Sequence, residues 1–197
     1  MYHVSTDKRA INSADLAFEA LRELSHVKNY KDISVTDIVK TAKIGRATFY
    51  RCFDSIEDVL KYRCDQIYIQ CGRYLLGELV QNQIHSIDET FILPFLNYWD
   101  RHSELIELII KSENESIISS AFVGMIESLR SEYPQVEIPN YNYFIAMRAA
   151  LATAVLIEWI KSGKDLTPQA LSDLYINQRS VDMSLLEQSL NFINPQK

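Results

Sequence analysis

Residues that break helices are scarce in this chain. Its 197 residues include five glycines and five prolines, and four of the prolines, Pro134, Pro139, Pro168 and Pro195, fall in the last third. Long intervals without a breaker suit helices far better than a many-stranded sheet. Apolar residues recur through those intervals at spacings of three and four. Over 6–26, Ile11, Ala14, Ala17, Phe18, Leu21 and Leu24 make one face of a first helix. Ser34-Val35-Thr36-Asp37 reads as a capping box that opens a short second helix, with Val35, Ile38, Val39 and Ala42 on its inner side. Lys43-Ile44-Gly45 is a tight turn, and a third helix follows over 46–52. Ser55 and Asp58 form a second box that starts a long fourth helix reaching about residue 82, with Val59, Tyr62, Ile67 and Leu75 among its apolar positions. Further helices are expected near 88–102, 103–112, 115–131, 140–162, 168–178 and 182–193. Pro94 should kink the first of these. Residues 131–140 form a loop, Ser162-Gly163 is a helix stop, and Thr167-Pro168 is a helix start. With 47% hydrophobic residues the chain can bury a sizeable core. The fold class is all-α.

Charge and chemistry narrow the function classes. Net charge is −6, which speaks against a general nucleic-acid coat protein. The charge is uneven, however. Residues 1–63 carry 11 Lys and Arg against 9 Asp and Glu, whereas residues 64–197 carry 9 against 17. A mildly basic head on an acidic body fits phosphate contact by the head alone. The cysteines, Cys52, Cys64 and Cys71, are odd in number and lack a C-x-x-C pair, so no disulfide framework follows. His3, His26, His85 and His102 lie far apart and, with the cysteines, give no zinc spacing. No glycine-rich phosphate loop occurs. Neither an enzyme nor a cofactor or metal is expected. Cys64 and Cys71, seven apart on one helix face, read as packing thiols, although a sensor role is conceivable. The first ten residues lack an apolar signal region. No run of about 18 consecutive apolar residues occurs, so no membrane span is expected and a cytoplasmic protein is the simplest inference.

The strongest functional signal lies in 34–53, SVTDIVKTAKIGRATFYRCF. Two short helices flank a tight turn. Phe49 and Phe53, four apart, point inward together, and Arg46, Ala47, Thr48, Tyr50 and Arg51 lie on the other side. A recognition helix must bury one stripe and offer the opposite stripe to the major groove. Arg46 and Arg51 suit guanine edges or phosphates, Thr48 a base or a thymine methyl, and Tyr50 a phosphate oxygen. Small Ala47 lets the backbone approach the bases. The second helix aims its positive end, with Ser34 and Thr36, at a phosphate. The alternative is a set of ordinary bundle helices, but the third helix is too short to be a useful bundle stave.

These residues resemble the TetR family of transcriptional regulators. The likeness runs over about 7–63 and rests on the first helix, on Val35-Thr36-Asp37-Ile38-Val39, on Ala42-Lys43-Ile44-Gly45-Arg46-Ala47-Thr48-Phe49-Tyr50-Arg51-Cys52-Phe53 and on Ser55-Ile56-Glu57-Asp58-Val59-Leu60. The resemblance implies a three-helix helix-turn-helix DNA-binding domain, 1–54, joined by a long helix to a helical effector-binding and dimerisation domain, 55–197. It implies DNA contacts by Ser34, Thr36, Lys43, Gly45, Arg46, Ala47, Thr48, Tyr50 and Arg51. The chain also departs from the family pattern. Lys43 stands where Gly is frequent, Gly45 where a Ser-like cap is frequent, Cys52 where a phosphate-touching His is common, and Ile56 where a basic residue is common. Lys8, Arg9, Lys43 or Arg51 is expected to make up the lost backbone grip.

The later segments carry the rest of the expectation. Residues 140–162 are apolar nearly all round, which suits a helix buried on most sides. Residues 168–178 are amphipathic. The pair is similar to the dimerisation helices of the family, and Ala149, Ala150, Ala152 and Ala154 would permit close approach. A homodimer on double-stranded operator DNA, with a small-molecule effector and no membrane partner, is therefore implied, and repression is the expected outcome. Among candidate effector contacts are Tyr98, Trp99, His102, Tyr143, Phe144, Met147 and Arg148. Arg148 on an apolar helix needs a partner, either an acid or an anionic ligand. An activator or partner-controlled regulator of the same fold, and a helical binding protein or enzyme without DNA binding, are the rival readings.

Overall fold

The computed structural model describes residues 1–81, 91–132 and 139–177. The helix expected near 182–193 lies outside the described residues. Within them the chain forms α1 (Lys8–Ser25), α2 (Val35–Thr41), α3 (Arg46–Cys52), α4 (Ile56–Gln81), α5 (Ile92–Arg101), α6 (Ser103–Lys111), α7 (Ser116–Glu132) and α8 (Tyr141–Lys161). A further helix, α9, covers 168–177. No strand occurs among the described residues beyond a single bridge between Tyr2 and Phe53.

The head is α1 to α3. Ser34 accepts a hydrogen bond from the Asp37 amide, and the Asp37 carboxylate accepts one from the Ser34 amide, so the expected capping box closes. Ala14, Ala17, Phe18 and Leu21 of α1 are buried against Ile38 and Val39 of α2 and Phe49 of α3. Phe53 continues this core toward Tyr62 of α4, their rings 6.0 Å apart. The N-terminal segment straps the α3–α4 corner. The His3 amide donates to the Cys52 carbonyl at 2.7 Å, the Tyr2 ring packs edge-on to Tyr62, and the Tyr2 hydroxyl donates to Asp65 at 2.8 Å.

The body is built around α4, which packs chiefly on α7 and also on α5. The two long helices meet closely at Gly72, where a methyl group would stand 2.8 Å from Met125 Cγ. Tyr68, Phe95, Trp99 and Phe122 form an aromatic core beside that crossing, with Tyr68 and Trp99 rings 4.6 Å apart. Pro94 does not kink a helix. α5 begins at Ile92, so Pro94 falls in the first turn, where an amide has no intrahelical acceptor to lose.

α8 corrects one expectation. It is not buried on most sides within the chain, since only 33% of its most apolar 18-residue window is covered. That window has a mean hydropathy of 1.6, a length and composition that a core helix of a soluble protein shares with a membrane span. Ile145, Ala149, Leu156, Trp159 and Ile160 face the body, while Tyr143, Met147 and Leu151 are exposed. The turn after α8 is fastened as the sequence suggests. Gly163 takes φ +72°, the Lys164 amide donates back to the Trp159 carbonyl, and the Trp159 indole donates to the Leu166 carbonyl at 2.8 Å. Thr167 then caps α9 by accepting from the Ala170 amide.

Candidate nucleic-acid interface

α3 is seven residues long and splits cleanly into two faces. Phe49 and Cys52 are buried in the head, and Phe53, just beyond the helix, is fully buried with its ring 5.5 Å from that of Phe49. Arg46, Ala47, Tyr50 and Arg51 are exposed, and Thr48 is half-buried. Tyr50 leaves 53% of its surface in solvent, a large apolar ring held out beside two guanidinium groups. The ring is braced edge-on by Phe49, centroids 5.6 Å apart. Ser34, Thr36, Lys43 and Gly45 are exposed as well, so eight of the nine residues singled out for DNA contact are exposed on α2, the turn and α3.

Local chemistry orders this surface. The Arg46 guanidinium donates to the Thr36 hydroxyl across the turn, tying the start of α3 to the start of α2. Gly45 takes the capping position of α3 with an extended backbone and no side-chain cap, and its carbonyl accepts from the Phe49 amide. Lys43 occupies the left-handed region at φ +54°, which explains on backbone grounds why a glycine suits this position. Asp37, held by the Ser34 amide and hydroxyl and then by Lys28, has its carboxyl lowered to about 2. The box therefore keeps its charge at any physiological pH. Cys52 is buried with its thiol pushed up by burial, so this side chain lies on the inner side of α3 and not on its open face. Ile56 is half-buried at the head of α4, and Lys8 and Arg9 are exposed in the first turn of α1.

The residues named for an effector separate into three groups. Phe144 and Arg148 line an apolar cavity of about 230 Å³ whose walls come from α4, α5, α7, α8 and α9. Tyr98 and Trp99 are buried in the body core, and His102, half-buried beside Tyr98, has its pKa lowered by burial and by Arg63 and Arg101. His102 borders a separate cleft of about 210 Å³ at the seam of α1 with the body. Tyr143 and Met147 are exposed on the outer side of α8. Leu75 and Leu76 of α4, Ile92 of α5, Ile126 of α7 and Tyr175 of α9 also line the cavity, although none is among the expected effector contacts. No sequence signal marks them, since each sits at an ordinary apolar helix position.

Head and body touch along α1. Arg22 and His26 approach Glu104 of α6 at 3.4 and 3.2 Å, and Lys31 pairs with Glu113 at 2.7 Å. Arg63 of α4 lies over the Phe18 ring at 5.1 Å. The exposed ion pairs contribute little energy each, but together they set how the head sits on the body. Among the described residues, no group of three or more His, Cys, Asp or Glu side chains could hold a metal ion.

No family model matches the sequence. Over 127 residues the chain is 38% identical to the HTH-type dhaKLM operon transcriptional activator DhaS of Lactococcus lactis, covering 55% of this chain and 67% of that protein. The fold is similar to the crystal structure of Lin0861 from Listeria innocua, with a TM-score of 0.69 and 20% identity over 98% of this chain and 96% of that one. A TetR-family regulator from Syntrophomonas wolfei matches at TM-score 0.58 and 17% identity, covering 86% of this chain and 94% of its own. A TetR transcriptional regulator from Streptococcus agalactiae matches at TM-score 0.53 and 20% identity, covering 85% and 93%. At such identities the solved structures speak for the fold, and the lactococcal relative carries the likeness to the level of sequence. The helical architecture seen here has the fold of the TetR-family transcriptional regulators, and the chain belongs to the same family as the lactococcal HTH-type transcriptional regulator.

Proposed function

We propose that this regulator binds operator DNA as a homodimer and acts as a repressor released by a small-molecule effector. Residues 1–54 serve as the DNA-binding domain and 55–197 as the effector-binding and dimerisation domain, in the cytoplasm where the operator lies, with no enzymatic step. One observation carries the reading: α3 buries its phenylalanines and leaves Arg46, Ala47, Tyr50 and Arg51 open to solvent, the arrangement a groove-reading helix needs. Arg46, Ala47 and Thr48 would meet base edges. Ser34, Thr36, Lys43, Gly45, Tyr50 and Arg51 would meet phosphates.

Dimerisation is supported by the outer side of α8. An exposed row containing Tyr143, Met147 and Leu151 on so apolar a helix calls for cover, and α9 beside it exposes Leu174. A second copy of α8 and α9 would supply that cover through a four-helix contact. Release follows if the effector binds better to the dimer whose recognition helices are wrongly spaced for DNA than to the competent one. α4 is the natural carrier, because it lines the cavity with Leu75 and Leu76 and reaches the head core at Tyr62.

The activator reading has one observation in its favour, that the lactococcal relative is named as a transcriptional activator. Footprinting the purified protein on DNA flanking its own gene, with a salt titration of affinity, tests DNA binding. A steep fall of affinity with salt is expected, and a flat one sinks the reading. A promoter reporter with and without the gene then separates repressor from activator.

A further inference from the structure

We propose that the cleft at the seam of α1 with the body binds a small phosphate-bearing anion, held by Arg63 and Arg101 and bridging head to body. This cleft, of about 210 Å³, shares no lining residue with the apolar cavity read as the effector site. Phe18 and Arg22 of its lining come from α1 of the head, Arg63 and Ile67 from α4, Arg101 from α5 and Leu105 from α6. An occupant therefore lies between the two parts of the chain.

Three arginines line the cleft, and its two acids, Glu19 and Glu104, are already engaged. Glu19 pairs with Arg22 at 2.7 Å, and Glu104 is shared by Arg22 and His26. Among the described residues, Arg63 reaches one acid, Asp15, at 3.6 Å, and Arg101 makes no ion pair. The surplus positive charge is felt at His102 on the same wall, where burial lowers the pKa and Arg63 and Arg101 lower it further. An anion that accepts from both guanidinium groups relieves this repulsion. Guanidinium forks match the oxygens of carboxylates and phosphates. A carboxylate offers two oxygens in one plane, which suits a single fork. The oxygens of a phosphate spread in three dimensions, so they can accept from forks on two helices at once, and its charge matches two cations. Arg63 is already held over the Phe18 ring at 5.1 Å, which places its fork before a ligand arrives.

The place of the cleft gives such an anion mechanical consequence. The exposed ion pairs that seat the head on the body are weak one by one. An anion held by α4 and α5 against α1 stiffens the same seam, and α1 packs in turn on α2 and α3. Phe18, Ile67 and Leu105 add apolar lining that suits the organic part of a phosphate ester.

The test uses the full-length protein at fixed pH and ionic strength, with inorganic phosphate, phenyl phosphate and acetate as probes in a chloride background. Calorimetry and thermal melts are run on the wild type, Arg63→Gln, Arg101→Gln and Lys61→Gln, the last removing a charge from α4 outside the cleft. Phosphate is expected to bind saturably, about tenfold tighter than acetate, the scale of an added charge-assisted pair, and to raise Tm in proportion to its occupancy. Arg63→Gln and Arg101→Gln should each weaken phosphate about tenfold, and Lys61→Gln should leave it unchanged. Arg101 is exposed, so its variant folds and decides the matter even if Arg63→Gln does not fold. Phosphate binding that fails to saturate, or that is the same in the wild type and Arg101→Gln, overturns the proposal. Phenyl phosphate that binds tighter than phosphate supports an organic ester as the occupant, and equal binding supports phosphate itself. Operator affinity is followed with and without saturating phosphate. A shift in the wild type that is lost in Arg101→Gln supports the bridge between head and body. No shift in the wild type, or the same shift in both proteins, overturns the bridge.

Discussion

Gly72 and Met125 meet where α4 crosses α7, so closely that a methyl group on the glycine would stand 2.8 Å from Met125 Cγ and 3.2 Å from Leu129 Cδ1. The longest helix of the body is thus seated on its neighbour through the absence of a side chain. A Gly72→Val substitution forces Met125 into the cavity or the helices apart. It is expected to lower stability by about 1–3 kcal/mol, the usual cost of overpacking, read as a shift in the urea midpoint with little change in slope. Unchanged stability would show that the two helices can separate freely.

Phe49 and Phe53 hold α3 to the head, and Tyr50 does not. Phe49→Ala or Phe53→Ala should cost about 3–5 kcal/mol, since each ring is fully buried. Tyr50→Ala should change stability by no more than about 0.5 kcal/mol, as exposed sites generally do, while weakening operator binding. Denaturant melts and fluorescence anisotropy on the same three variants check the split. A Tyr50 variant that binds operator like the wild type would remove Tyr50 from the proposed interface.

Lys43 adopts a left-handed backbone that disfavours a side chain, and it carries a charge on the proposed DNA side. Lys43→Gly relieves the backbone strain, for a gain of up to about 1 kcal/mol partly offset by the greater freedom of glycine in the unfolded chain. If Lys43 meets a phosphate, the same change lowers the slope of log affinity against log salt by about 1. Stability and DNA grip should therefore move in opposite directions, and a parallel change in both would contradict this picture.

The capping box of α2 sets a pH dependence. The Asp37 carboxyl is lowered from 3.8 to about 2 by the Ser34 amide and hydroxyl and by Lys28. A folded-state pKa below the unfolded value stabilises fully above the unfolded value, and the benefit disappears as pH falls through the folded one. Wild type should therefore exceed Asp37→Asn in Tm at pH 7, with the difference shrinking from about pH 4 downward and gone near pH 2. A gap that widens on acidification would give the opposite sign and refute the assignment.

All three cysteines are buried, and burial pushes each thiol upward, Cys64 and Cys71 most strongly. A thiol-specific reagent at pH 7.5 should label the native protein slowly and the urea-unfolded protein promptly at all three positions. Rapid labelling of native Cys64 or Cys71 would revive the sensor role.

Much of the outward face of the head was legible in the sequence. The Ser34–Asp37 box, the turn at Gly45 and the inward spacing of Phe49 and Phe53 are local features, set within one or two helical turns. The start of α5 was misplaced because periodicity cannot tell which turn of a helix a proline occupies, and the structure begins that helix two residues before Pro94. Tyr143 and Met147 entered the list of effector contacts on residue type alone. Which side of α8 turns inward depends on helices up to a hundred residues away in the chain.

Periodicity, caps and breakers determined by themselves that the chain is helical, where its head folds and which stripe of α3 stays wet, because each of these depends on neighbours within a few residues. Only the tertiary structure decided that Gly72 admits Met125, that α8 keeps a third of its apolar window covered, and that Phe144 and Arg148 share a cavity with Leu75 and Tyr175. These are gaps and contacts between helices remote in sequence. Their existence depends on crossing distances and rotations that no single helix encodes.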